Sequence, residues 1–201
     1  MINTVVLDIG QVLAAFRWED YLRDCGYDAI TREKVAKATV LSRYWGEQDR
    51  GALPEAEIIR ACCELDPSVE REIKKLFEDI TKTVIEFPYA KEFIRGLKKN
   101  GYKVYLLSNY GERNFAYAKE HFTFIPEADG GVISYEVKYI KPEPEIYEAL
   151  IAKYGFEPAK AVFLDDSKAN LEGAKKFGFH TVLVTDYEQA LKDLRRLGVK
   201  I

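Results

Sequence analysis

Three runs of consecutive apolar residues stand out from an otherwise amphipathic chain: Val5-Val6-Leu7, Val104-Tyr105-Leu106-Leu107 and Ala161-Val162-Phe163-Leu164. None alternates with polar residues, so each reads as a strand buried on both faces, the texture of a parallel sheet covered by helices. Each run also ends in small polar or acidic groups: Asp8 after the first, Ser108-Asn109 after the second, Asp165-Asp166 after the third. In an open α/β sheet, ligands bind at the carboxyl ends of the strands. Thr181 to Val184 predicts a further strand, and Val132-Ile133-Ser134 a short one after a turn at Asp129-Gly130-Gly131.

Beyond Gly10, the residues Gln11 to Phe16 extend as an apolar flap, and the periodicity then becomes helical. Trp18, Tyr21, Leu22 and Cys25 fall on one helical face closed by Gly26. Thr31 is the expected cap of a second helix with Val35 and Ala38 inward, and Leu41, Tyr44 and Trp45 predict a third. Pro54 opens a fourth helix carrying Ile58, Ile59, Cys62 and Leu65, and Val69, Ile73, Leu76, Phe77 and Ile80 form one more face. No strand signal appears from about Arg17 to Thr83, so this block reads as a helical insertion. From Phe87-Pro88 onward strands alternate with helices, which implies a parallel sheet with right-handed crossovers.

With 201 residues, the chain is long enough for one full core plus a modest insertion. Its 47% hydrophobic and 31% charged residues are those of an ordinary globular protein, and a net charge of -3 leaves no footprint for nucleic acid. Cys25, Cys62 and Cys63 have neither metal-ligand spacing nor the even count of a disulfide framework. No apolar run approaches the roughly 20 residues that span a bilayer, and Asp8 arrives before a signal-peptide core forms. The expectation is a cytoplasmic protein with no membrane partner, a monomer or a weak homodimer.

If the three buried strands are neighbours, their acidic and hydroxyl ends meet in one crevice. Clustered carboxylates repel and raise one another's pKa values unless a divalent cation offsets them. An all-oxygen set without His or Cys points to Mg²⁺. Lys141, followed by Pro142, is the only cation placed in a comparable loop. Mg²⁺, a lysine, a hydroxyl and a free carboxylate are the parts of phosphoryl transfer, with Asp8 as nucleophile. Taken singly, each part has a plainer reading: an Asp-Asp helix cap, a Ser-Asn turn, a loop lysine. Their order and their place at strand ends favour the site. The phosphate-binding G-x-x-x-x-G-K-[ST] and G-x-G-x-x-G and the G-x-S-x-G elbow are all absent.

Asp8-Ile9-Gly10-Gln11-Val12-Leu13, Leu107-Ser108-Asn109, Lys141-Pro142-Glu143-Pro144-Glu145-Ile146-Tyr147 and Phe163-Leu164-Asp165-Asp166-Ser167 resemble, in order, the four motifs of the haloacid dehalogenase superfamily. The resemblance implies an α/β protein with a Rossmann-like parallel-sheet core, residues 1–16 and 84–201, and a small all-α helical-bundle cap, residues 17–83, inserted after the first strand. It further implies that Asp8 becomes an aspartyl phosphate and that Asp8, the Gly10 carbonyl and Asp166 hold Mg²⁺, with Asp165 in the first or second shell. Ser108, the backbone around Asn109, and Lys141 would bind the phosphoryl group, and Lys141 would also neutralise Asp8.

The chain departs from this pattern at Gly10, where most phosphatases of the superfamily carry a second Asp that protonates the leaving group. A positioned general acid contributes roughly 10²- to 10⁴-fold, so slow turnover or an undemanding leaving group is expected. The same Gly argues against a phosphomutase. The leading expectation is a Mg²⁺-dependent phosphatase of a small phosphorylated metabolite, similar to sugar-phosphate phosphatases with Gly at this position. The alternatives are a catalytically weak phospho-ligand-binding or regulatory module and, third, a 2-haloacid dehalogenase, which the Asp165-Asp166 pair disfavours because dehalogenases use no metal. Arg17, Arg43, Tyr44 and Trp45 are candidate substrate contacts in the helical block, with cap core as the plainer role for Tyr44 and Trp45.

Overall fold

The three apolar runs form the middle of a five-stranded, all-parallel sheet in the computed structural model, which describes residues 1–201 in full. In chain order the amino-terminal half comprises β1 (Thr4–Leu7), β2 (Ala14–Phe16), α1 (Trp18–Asp24), α2 (Ala29–Ala38), α3 (Arg43–Arg50), α4 (Glu55–Leu65), α5 (Glu70–Glu78), β3 (Val84–Glu86) and α6 (Ala90–Lys99). There follow β4 (Lys103–Ser108), α7 (Glu112–His121), β5 (Gly130–Ile133), α8 (Ser134–Val137), α9 (Pro144–Tyr154), β6 (Ala161–Asp165), α10 (Lys168–Lys175), β7 (His180–Leu183) and α11 (Tyr187–Arg196).

The sheet order is β5-β4-β1-β6-β7, which sets β1 between β4 and β6. Successive strand residues point to opposite faces, and each face meets helices. Val5 and Leu7 pack with Phe93 and Leu97 of α6 and Leu194 of α11, whereas Val6 packs with Tyr147 of α9 and Leu171 of α10. Two-sided burial explains why these strands lack alternation. Leu7 pairs with Leu106 on one side and Leu164 on the other, so the three strand ends are level.

Helices α1 to α5 carry a separate apolar cluster that includes Leu22, Val35, Ile58, Cys62, Ile73 and Phe77. They enter and leave through an antiparallel ribbon of β2 and β3, with Ala14 opposite Glu86 and Phe16 opposite Val84. No helix is long and apolar enough to cross a membrane.

Several local expectations are corrected. Asp28, not Thr31, caps α2, its carboxylate accepting the Thr31 amide at 2.8 Å. Leu41 precedes α3 and is 65% exposed. β3 went unpredicted because three residues with one inward side chain carry no period. Ser134 begins α8 instead of ending a strand, and Gly131 lies in β5 instead of in the turn. A Cβ on Gly131 would stand 2.5 Å from the Leu106 carbonyl oxygen, so glycine is required by close approach and not by turn geometry.

Candidate active site

β1, β4 and β6 deliver Asp8, Ser108 and Asp165 to one rim. Oδ1 of Asp8 accepts the Ile9 amide at 2.7 Å and the Ser108 hydroxyl at 2.7 Å. Its Oδ2 lies 2.9 Å from the Lys141 ammonium, which also donates to Asp165 Oδ2 at 2.7 Å and to the Leu107 carbonyl at 2.9 Å. Lys141 stands in the loop between α8 and α9 and is 3% exposed, so its charge is fully committed to these oxygens.

Asp165 is fixed on its other side by the Ser167 amide at 2.7 Å and by Asn170 Nδ2 at 3.0 and 3.1 Å. Asp166, one residue on, is exposed. A carboxylate oxygen from each of Asp8, Asp165 and Asp166 lies within 4.8 Å of the others. Beyond Asp8 the chain turns sharply, with the Ile9 carbonyl accepting the Leu13 and Ala14 amides at 2.8 and 2.9 Å. That turn leaves Gly10 on the wall of a cavity of about 240 Å³, alongside Asp8, Trp45, Asp49, Ser108 and Tyr110.

The electrostatics follow from three acids facing one ammonium. Burial lifts the Asp8 carboxyl to about 7, with Lys141 opposing and Asp165 adding to the rise. Burial alone would lower the Lys141 ammonium, but the Asp8 and Asp165 carboxylates outweigh it and hold Lys141 above the ordinary lysine value. Partial loss of hydration and then Asp165 raise Asp166. Surplus negative charge with only oxygen donors is the environment that fits a hard divalent cation such as Mg²⁺.

The haloacid dehalogenase-like hydrolase family model matches residues 2–178. The chain belongs to this family. It is 33% identical over 111 residues to the mouse bifunctional epoxide hydrolase 2, covering 50% of this chain and 19% of that protein. The chain thus spans about a fifth of that relative's length. It is 28% identical over 198 residues to a D-ribitol-5-phosphate phosphatase of Bacteroides thetaiotaomicron, covering 90% of this chain and 91% of the relative. Among solved structures, a HAD-family enzyme of Bacteroides thetaiotaomicron in complex with magnesium and inorganic phosphate is similar at a TM-score of 0.68 and 25% identity, covering 90% of this chain and 93% of that one.

Within this haloacid dehalogenase-like chain, Asp8, Ser108, Lys141, Asp165 and Asp166 meet at one rim, and Gly10 lies beside them. Asn109 lines the same cavity as Asp8 and Ser108. Its side-chain amide donates to the Lys141 carbonyl at 3.0 Å and accepts the Lys141 amide at 2.7 Å. Both ends are consumed in bracing the lysine loop.

Of the four residues singled out in the helical block, only Trp45 lines the cavity, packed on Phe16 with ring centroids 5.5 Å apart. Arg17 is turned to Asp24 at 2.6 Å, and exposed Arg43 lies over the Tyr44 ring at 4.9 Å. Neither arginine nor Tyr44 lines the cavity, because each finds a partner within the helical unit. Tyr110, Asn114 and Asp49 line the cavity without having been anticipated. Tyr110 follows Ser108-Asn109 directly and was within reach of strand-end reasoning. Asp49 lies in a charged helical stretch where nothing local distinguishes it.

Proposed function

We propose that the chain is a Mg²⁺-dependent phosphatase of a small, hydroxyl-bearing phosphorylated metabolite, a sugar phosphate being the best-fitting class. The reading rests above all on Asp8, held by Ser108 and Lys141 at the rim of the sheet. Asp8 attacks phosphorus and carries the phosphoryl group as an aspartyl phosphate until water displaces it. A phosphoryl group arriving on Asp8 meets a hydroxyl donor in Ser108 and a cation in Lys141, and positioning plus charge neutralisation supply most of the acceleration in this chemistry. Asp8, Asp166 and the Gly10 carbonyl would hold Mg²⁺, with Asp165 behind them. When bound there, the ion neutralises charge on the attacking carboxylate and the phosphoryl oxygens.

The cavity supports a small polar substrate. Its roughly 240 Å³ falls below the range of about 300–1,000 Å³ usual for larger ligands. Tyr110 Oη and Asn114 Oδ1, both on lining residues only 7% exposed, have no partner in the protein. Buried polar atoms without partners are uncommon, and substrate hydroxyls would satisfy them. Residues 17–83 act in this reading as a cap over the core of residues 1–16 and 84–201.

The test is hydrolysis of p-nitrophenyl phosphate, whose nitrophenolate departs without protonation. Activity is expected with Mg²⁺, and its loss in EDTA and in Asp8→Asn. Turnover that persists in either condition refutes the reading.

A further inference from the structure

The wall of the cavity next to Asp8 is bare. A Cβ on Gly10 would meet no atom within 4 Å, so the position two residues beyond the nucleophile offers room and no chemistry. The carboxyl group nearest in function comes instead from the helical unit, where Asp49, near the end of α3, lines the same cavity as Asp8, Gly10 and Ser108.

Its placement is rigid. The Asp49 carbonyl accepts the Ser134 hydroxyl at 2.6 Å, and Arg50 grips Glu143 through two bonds of 2.7 and 2.6 Å. The Gly51 carbonyl accepts Lys138 Nζ at 2.6 Å. Three consecutive residues are thus tied to the segment that carries Lys141. Gly51 makes the close docking possible: it ends α3 at φ 64, and a Cβ there would stand 2.9 Å from Tyr135 Cβ.

We propose that Asp49, supplied by the inserted helical unit, is the general acid and base of the phosphoryl transfer. The assignment rests on the phosphatase reading above. As Asp8 attacks phosphorus, the phosphorus–ester oxygen bond breaks, and the Asp49 carboxyl proton passes to that oxygen, which leaves as an alcohol. The Asp49 carboxylate then takes a proton from the water that attacks phosphorus. The bond from phosphorus to Asp8 breaks, releasing inorganic phosphate and restoring both side chains.

The protonation state suits the first step. Burial lifts the Asp49 carboxyl to about 7, and the Asp8 carboxylate adds to the rise while the Gly111 amide and Lys141 oppose it. The other titratable group coupled to it, the Tyr110 phenol, is itself held above its ordinary value by burial and by Asp49 and stays neutral. A general acid works best with a pKa near the operating pH.

The experiment compares wild type, Asp49→Asn and Asp8→Asn with Mg²⁺ in rapid-quench reactions, using p-nitrophenyl phosphate and phenyl phosphate and detecting phosphoenzyme by mass. Asp49→Asn preserves size and the backbone bond to Ser134, and its thermal melt checks folding. The expected result for Asp49→Asn with p-nitrophenyl phosphate is a burst of one nitrophenolate per chain, slowed by less than about tenfold, followed by slow turnover with accumulated phosphoenzyme. With phenyl phosphate, phosphoenzyme formation is expected to fall roughly 10²- to 10⁴-fold. Equal slowing with both esters, or absence of accumulated phosphoenzyme, overturns the role of Asp49. Failure of the phosphatase reading is distinct: wild type then forms no phosphoenzyme from either ester, and the assignment falls with it.

Discussion

Arg50 and Glu143, separated by 93 positions in the chain, meet in a forked ion pair with bonds of 2.7 and 2.6 Å. It joins α3 to the loop that holds Lys141, and both side chains are partly shielded from water, at 20% and 34% exposure. Glu143 also accepts the Ile140 amide at 3.0 Å, so the pair shapes the lysine loop as well as anchoring the helix.

Arg50→Ala is therefore expected to lower unfolding stability by about 1 kcal/mol, the upper end for a partly exposed pair, and to reduce kcat/KM on phosphate esters by loosening the cavity wall. Arg23→Ala is the control. Its partners Glu19 and Asp20 lie on the same helix, all three side chains are exposed, and neither quantity should move. Urea denaturation and steady-state kinetics on both variants decide the matter.

Burial of Asp8 acts against the stability of the metal-free protein. Folding raises the Asp8 carboxyl from 3.8 to about 7, so the folded chain holds that proton more tightly than the unfolded chain does. Its contribution is consequently neutral below the unfolded value and becomes destabilising as pH rises from 3.8 towards 7. Asp8→Asn removes the charge. In EDTA the variant is expected to be inactive yet more stable than wild type at pH 8, with the advantage vanishing near pH 4. Thermal melts across this range provide the check, and a destabilised variant at pH 8 contradicts the argument.

Asp165 and Asp166 adjoin in sequence but differ in what holds them. Both oxygens of Asp165 are engaged by Lys141, Ser167 and Asn170, and its residue is fully buried. Asp165→Ala leaves Lys141 and Asn170 short of partners and should destabilise by about 3–5 kcal/mol, as loss of one member of a buried pair does. Asp166→Asn should leave metal-free stability within about 0.5 kcal/mol of wild type, as exposed substitutions do, and abolish the thermal shift expected of wild type on adding Mg²⁺. Calorimetric titration of Mg²⁺ into the two variants separates these roles.

Val5-Val6-Leu7 before Asp8 and Ala161 to Leu164 before Asp165 announced buried parallel strands, because two-sided burial demands unbroken apolar runs. The helical insertion was equally plain from its 3.6-residue spacing. Short or compensated features were not. The three residues of β3 are too few to show a period, and Leu41 is apolar yet exposed.

The sheet, the helical insertion and the acids at the strand ends are legible in the chain alone, since burial on both faces and strand termination leave marks within a few neighbouring residues. That Asn109 braces Lys141, that Trp45 reaches the cavity while Arg17 and Arg43 do not, and that Asp49 lines it emerge in the folded molecule. These outcomes depend on how the helical unit docks against the core. That docking is set by contacts such as Ser134 with Asp49 and Arg50 with Glu143, across separations of 85 and 93 residues. A local hydrophobic period records which face of a helix is buried, but not which distant surface buries it.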